Sequence, residues 1–178
     1  MKLYLSKLDV AKRQLETALR LFFHSGDPVS IHTLANASYE ILTQLCSAQG
    51  VKGILEEGIE KFIREEKRKE VRDKMYEAKN FFKHSRKDPH TNIEFNPELS
   101  SFFLWDACRL YRILTSEFTP TMLVFHAWFC LKNKEIILIE ETRKIIGRLS
   151  YINQINLDAK EQFFEIMLPL AEKLSFKV

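Results

Sequence analysis

The 178-residue chain lacks any uninterrupted apolar run near the roughly 18–20 residues that a membrane span needs. Its opening, Met1-Lys2-Leu3-Tyr4-Leu5, has no long apolar stretch of the signal-peptide kind. A cytoplasmic protein without membrane contact is therefore expected. Cysteine is scarce: Cys46, Cys108 and Cys130 lie far apart and form no CxxC pair, a spacing that argues against structural zinc. Each has apolar neighbours, which predicts buried free thiols in a reducing compartment. No HxxxH or HExxH pair occurs, nor a GxGxxG or GxxxxGK[ST] loop, nor a glycine-flanked serine elbow. Metal hydrolase, nucleotide-loop and serine-hydrolase readings lose their usual footing, and no metal or cofactor is expected. Strand patterning is absent too, because the β-prone run Ile136-Ile137-Leu138-Ile139 has flanks that suit a helix.

What the chain does have is length and aromatic mass for one core. Its 46% hydrophobic content includes fourteen Phe, enough to bury a domain without staples. A single domain spanning residues 1–178 is expected. The formal net charge is only +3, but residues 61–90 carry eleven Lys/Arg against six Asp/Glu. The basic character is therefore concentrated on one helix and the loop after it.

Periodicity and punctuation predict an all-α bundle of about seven helices, up-and-down in its first half. Helix one should run from Ser6 to His24, with Ser6 as cap and Leu8, Ala11, Leu15, Ala18, Leu19, Phe22 and Phe23 inward. Gly26 should supply the left-handed stop. Helix two should open on Asp27-Pro28 and end before Gly50, with Ile31, Leu34, Ala35, Ser38, Ile41, Leu42 and Leu45 on one face. The short link makes these two an antiparallel hairpin. A short helix is expected near Ile54, then a charged helix from Phe62 to His84, then a loop over residues 85–96. Asn96-Pro97 and Thr119-Pro120 should open two further helices. The first should bury Leu99, Phe102, Phe103, Ala107, Leu110, Ile113 and Leu114. The second, reaching Leu131, is apolar on nearly all sides and so central or at an interface. Helices over residues 134–149 and 157–174 complete the chain, the last kinked or cut short by Pro169.

The densest chemistry sits in Lys79-Asn80-Phe81-Phe82-Lys83-His84. On a helix, Asn80 and His84 share a face. A histidine titrating near neutrality can take or give a proton, and a cation beside it can hold a phosphate. Lys79 is expected to contact phosphate, Asn80 to position substrate and His84 to act as acid or base. Lys83, Arg86 and Lys87 would follow an RNA backbone. The competing reading makes His84 a helix-end cation and the lysines solvated surface charges. Glu40 is expected to face Lys79 or His84. Asp106, Arg109 and Arg112 read as a surface ion-pair ladder. His24 should be a helix-end charge, His32 partly buried and His126 a core or interface histidine.

These residues also carry a resemblance. Gln14-Leu15-Glu16-Thr17-Ala18, Asp27 through Ala35, Asn80-Phe81-Phe82-Lys83-His84 and Phe95-Asn96-Pro97-Glu98-Leu99 together look like a family of uncharacterised all-helical bacterial proteins, over residues 6–130. A helix pair followed by a basic helix ending in Asn-x-x-x-His is similar to the HEPN superfamily. That resemblance implies an all-helical fold that dimerises through the motif helices. It also implies RNA binding or metal-independent RNA cleavage, in defence or toxin-type systems, or a non-catalytic member. The superfamily motif begins with arginine, where this chain has Lys79, a point charge in place of a planar two-pronged donor. A homodimer is also expected because the segments Phe102–Trp105 and Phe125–Phe129 hold more aromatic surface than one thin domain readily buries. The alternative function is a non-catalytic helical interaction module.

Overall fold

Capping chemistry sets the first two elements of the computed structural model, which describes residues 2–85, 89–135 and 156–175. Helix α1 (Lys7–Phe23) starts at a full capping box. The Ser6 hydroxyl accepts from the Asp9 N–H, and the Asp9 carboxylate accepts from the Ser6 N–H, both at 3.0 Å. Helix α2 (Pro28–Ser47) starts at Asp27, whose carboxylate accepts from the Ser30 N–H at 2.7 Å. The turn between them differs from expectation. Ser25, not Gly26, takes the left-handed conformation, at φ 52°. Gly26 is required by crowding instead: its N–H donates to the Leu21 carbonyl at 2.7 Å, and a Cβ there would lie 2.8 Å from Leu21 Cδ2.

Eight helices are present among the described residues, and no strand. The remaining six are α3 (Ile54–Phe62), α4 (Glu65–Met75), α5 (Glu77–Lys83), α6 (Leu99–Thr115), α7 (Pro120–Lys132) and α8 (Lys160–Ser175). The fold is an all-α helical bundle, as the sequence predicts. The continuous charged helix expected over 62–84 is instead two helices, α4 and α5. Ile63 is extended, and Tyr76 breaks the turn between α4 and α5. At Asn96-Pro97 the chain makes a turn first, with Asn96 Oδ1 accepting from the Glu98 N–H, and α6 begins two residues later than expected. Pro169 lies inside α8 and does not end it. The helix expected over 134–149 falls almost wholly outside the described residues.

One apolar cluster joins α1, α2, α6, α7 and α8. The α1 hydrophobic face is buried as predicted, apart from half-buried Leu8. The α2 face is rotated toward His32, Asn36 and Tyr39, which are buried along with Ile31, Ala35, Ser38 and Leu42. On α6, Leu99 and Ile113 are exposed, and Leu104, Trp105, Asp106 and Cys108 take the core instead. Helix α7 is central, with nine of its thirteen residues buried. Phe23 stacks on Phe164 at 4.7 Å and meets Phe125 edge-on. Each such side chain contributes roughly 1.5–3 kcal/mol on burial. Phe103, Leu104, Trp105, Phe125, Trp128 and Phe129 are all buried within the single chain. Within the two segments behind the homodimer expectation, Phe102 is half-buried and the other residues are buried. Cys46, Cys108 and Cys130 are buried free thiols. No helix among the described residues is long and apolar enough to cross a membrane.

A polar node fastens the α3–α5 arm to this core. Gly53 caps α3 without a side chain, so the cap comes from another helix: Asp106 on α6 accepts from the Leu55 N–H at 3.2 Å. Arg109 donates to the same carboxylate at 2.9 Å and to the Lys52 carbonyl at 2.9 Å. Asp106 is thus wholly buried and tertiary in role, which corrects the surface-ladder reading. Gly53 sits where a Cβ would lie 2.6 Å from the Tyr39 hydroxyl and 2.8 Å from Asp106 Oδ2. At Gly58, in the middle of α3, a Cβ would meet nothing within 4 Å. We expect Gly53→Ala to lower stability by about 1–3 kcal/mol and Gly58→Ala to raise it by about 0.5–1 kcal/mol in urea unfolding. Equal shifts in both variants would contradict the node.

Candidate functional site: the α4–α5 cleft

Helix α5 is only seven residues long, and its two sides have different tasks. Ala78 is buried, and Phe82 turns inward, edge-on to His32 at 5.7 Å and to Phe95 at 5.1 Å. Lys79 turns the same way. Its ammonium pairs with Glu40 of α2 at 2.8 Å and lies 5.1 Å from the Tyr76 ring centre. The hydrogen bond from Lys79, with the charges of Lys79 and Lys83, holds the Glu40 carboxyl below the usual carboxylate range. Lys83 lies 3.8 Å from the same carboxylate. The expectation that Glu40 faces Lys79 holds.

The opposite side of α5 opens on a cleft of about 1440 Å³. Asn80, Phe81, Lys83, His84 and Ser85 form one wall end, and Thr91, Asn92 and Ile93 the facing segment. The long wall is one stripe of α4 with its continuation, Glu66, Lys69, Glu70, Asp73, Lys74 and Glu77. The i, i+3, i+4 spacing of that stripe places the first five on one face of α4, and Glu77 opens α5 beside them. Lys69 pairs with Asp73 at 2.5 Å, Lys74 with Glu77 at 2.6 Å, and Glu70 with Lys67 at 2.7 Å. No residue of α4 is buried. The helix is held from behind, where Arg72 pairs with Glu56 at 2.8 Å, Tyr76 donates to Glu56 at 3.0 Å, and Arg68 donates to the Glu60 carbonyl at 2.7 Å.

Asn80, Lys83 and His84 therefore share the cleft, while Lys79 is turned away and bonded elsewhere. His84 is not within the helix. It is the exposed C-terminal cap, with extended backbone, and its N–H donates to the Asn80 carbonyl at 3.1 Å. Arg86 and Lys87 lie outside the described residues. Among the described residues, no group of three or more His, Cys, Asp or Glu is placed to hold a metal ion.

His32 lies deeper than the partial burial expected of it. It is 1% exposed, with Nδ1 3.0 Å from the Ser100 hydroxyl and Nε2 3.1 Å from the Asn36 amide nitrogen. An amide NH2 can only donate, so Nε2 accepts and Nδ1 carries the proton. Phe82, Phe95 and Phe103 surround the ring edge-on. Its i, i+4 spacing to Asn36 was the signal available in the sequence. His24 pairs with Glu161 of α8 at 3.0 Å, and His126 is buried. Comparison with protein-family models, with curated proteins and with solved structures finds no match for this chain.

Burial pulls the His32 imidazole down from 6.5 to about 4. The unfolded chain then binds the proton more readily than the folded one. The stabilising contribution is complete above pH 6.5 and is lost as pH falls from there toward 4, reaching about 2 kcal/mol lost at pH 5. Urea unfolding between pH 7.5 and 4.5 should show this slope, and His32→Leu should flatten it whatever its absolute stability. Equal slopes in both proteins would place the loss elsewhere.

Proposed function

We propose that this chain is a non-catalytic helical interaction module that docks a polypeptide segment in the α4–α5 cleft. The observation that carries this reading is the charge of the cleft. Among the described residues, four carboxylates, of Glu66, Glu70, Asp73 and Glu77, face it against three ammonium groups, of Lys69, Lys74 and Lys83. A polyanion gains affinity by replacing counterions with Lys and Arg, and it would meet these carboxylates instead. Lys79, the cation nearest the motif in sequence, is taken up by Glu40. The cleft also exceeds the roughly 300–1,000 Å³ of small-molecule sites, which favours a polymer as occupant. Three buried free thiols are compatible with action in the reducing cytoplasm. A random dodecapeptide phage library should enrich sequences on the wild type that lose binding to Asn80→Trp, where an indole fills the cleft. No enrichment, or enrichment indifferent to the indole, would remove the docking reading.

A second reading is HEPN-like, metal-independent RNA cleavage by a homodimer in a bacterial defence or toxin-type system. The specific observation in its favour is that Asn80, Lys83 and His84 share one open cleft. In that reading His84 is the acid or base, Asn80 positions the ribose, and Lys83 supplies the phosphate contact that Lys79 is turned away from. The check is cleavage of a mixed RNA pool in EDTA. Activity that survives chelation, vanishes in His84→Ala and falls more in Lys83→Ala than in Lys79→Ala establishes this reading over the first. Equal cleavage by wild type and His84→Ala, or none, removes it.

A further inference from the structure

His32 sits in a site that fits imidazole and not imidazolium. Nε2 lies 3.1 Å from the Asn36 amide nitrogen, and the same amide donates to the His32 carbonyl at 3.0 Å. A proton on Nε2 sets donor against donor. Turning the Asn36 amide over brings Oδ1, which has no partner as it stands, to Nε2 but sets it against the His32 carbonyl. One conflict remains whichever way the amide points, and an unmatched buried polar group is costly. The walls around the ring are unequal. Ser100 and Phe103, on α6, are almost fully buried. Phe82 of α5 and Phe95, which meet at 5.1 Å, are only half-buried. Moving those two rings brings water to His32 without opening the bundle behind it. Ala78, four residues before Phe82, is buried on the same face of α5 and moves with it.

We infer that His32 is an acid-operated latch on α5: on taking a proton it expels the Phe82 and Phe95 rings and lets α5 lift from α2, while α1, α2, α6, α7 and α8 stay packed as one cluster. The latch does not depend on what the cleft holds. The charged and titratable groups on the elements around the ring are Glu40 on α2, Tyr76 before α5, Glu77, Lys79 and Lys83 on α5, Glu94 and Glu98 beside Phe95, and Asp106 and Arg109 further along α6. Lys79 and Lys83 are paired with Glu40, and Arg109 with Asp106. Among the described residues only Ser100 and Asn36 bond the imidazole, and burial alone opposes its charge. The Glu40 pair resists the lift, but Glu40 is half-exposed and such a pair contributes too little to hold α5 by itself.

The test reads the lift directly, through a thiol placed under α5. The full chain carrying Ala78→Cys is labelled with dithiodipyridine, which reacts with thiols in acid, and each site is followed by mass spectrometry. Rates are divided by those of the same chain unfolded in urea at the same pH. Cys46, Cys108 and Cys130, buried in the bundle, report global unfolding in the same digest. The scan stops at pH 5, above the range in which the Glu40 carboxyl, held low by Lys79, takes a proton. Once released, the imidazole returns from about 4 to its ordinary 6.5, so labelling at position 78 should rise roughly 25-fold between pH 7.5 and 5. The three native thiols should lag behind it. With His32→Gln added, the rise should vanish whatever level labelling starts from. With Glu40→Gln added instead, labelling should increase by one factor at every pH and keep its rise. Labelling that is flat with pH, that climbs in step with the native thiols, or that climbs equally in His32→Gln overturns the latch. If a substitution unfolds the chain, nuclear magnetic resonance of the unsubstituted protein decides. The Phe82 and Phe95 ring signals should shift as the His32 imidazole titrates, with the Trp105 and Trp128 indole signals unchanged. Ring signals indifferent to that titration, or indole signals that change with them, overturn the latch as well.

Discussion

A buried carboxylate must find partners for its charge, and Asp106 finds them on two different segments. Arg109 comes from its own helix and the Leu55 N–H from the start of α3. An isolated buried charge is too costly to persist, so these elements are tied together wherever the protein is folded. Arg109 reaches on to the Lys52 carbonyl and fixes the backbone that leads into α3. The rest of the arm inherits its place from there: α3 positions Glu56, and Glu56 holds Arg72 and Tyr76. Burial and the neighbouring Asp106 charge push the Tyr39 hydroxyl well above its ordinary value, so the tyrosine of this node keeps its proton at neutral pH.

The second attachment is aromatic rather than ionic. His32 stands inside a ring of Phe82, Phe95 and Phe103, drawn from α5, the segment before α6, and α6 itself. Neutral imidazole is tolerated there because Ser100 and Asn36 satisfy both nitrogens. With Lys79 and Lys83 both paired to Glu40, α5 is docked by one cage and one shared carboxylate. A helix of seven residues could not hold its shape alone in water. The cleft side of α5 is thus free to carry polar groups because its other side is fully used.

Local signals in the sequence were read well where one residue acts on its own neighbours. Ser6 with Asp9, Asp27 with Pro28 and Thr119 with Pro120 mark helix starts because a cap is a contact within four residues. The buried stripe of α1 follows from its period alone. Failures came where a distant partner decides. Asp106, Arg109 and Arg112 at helical spacing look like a surface ladder, and only the arrival of Leu55, fifty-one residues away, makes Asp106 a buried cap. His32 and Asn36 break the apolar pattern of α2, so a pattern search excludes them from the core they occupy. Lys79 is adjacent to Asn80 in sequence, yet a turn of about 100° per residue sends it to Glu40 while Asn80 faces the cleft. The Asn80–His84 pair was legible as a shared side of the chain; the carboxylates opposite it, on a separate helix, were not.

The last helix closes the first. Phe163 and Phe164 of α8 stack on Phe23 of α1, and Lys160 places its ammonium 3.9 Å over the ring of Phe22. Trp128 donates to the Leu157 carbonyl at the entry to the same helix. A ribosome that has completed α7 has therefore released a bundle without the α8 side of its core, and Phe23 lacks the stacking of Phe163 and Phe164 until some thirty further residues emerge. At roughly 5–20 residues per second that interval lasts seconds, long compared with hydrophobic collapse. For that interval the nascent chain lacks the α8 cover that Phe23 has in the finished protein.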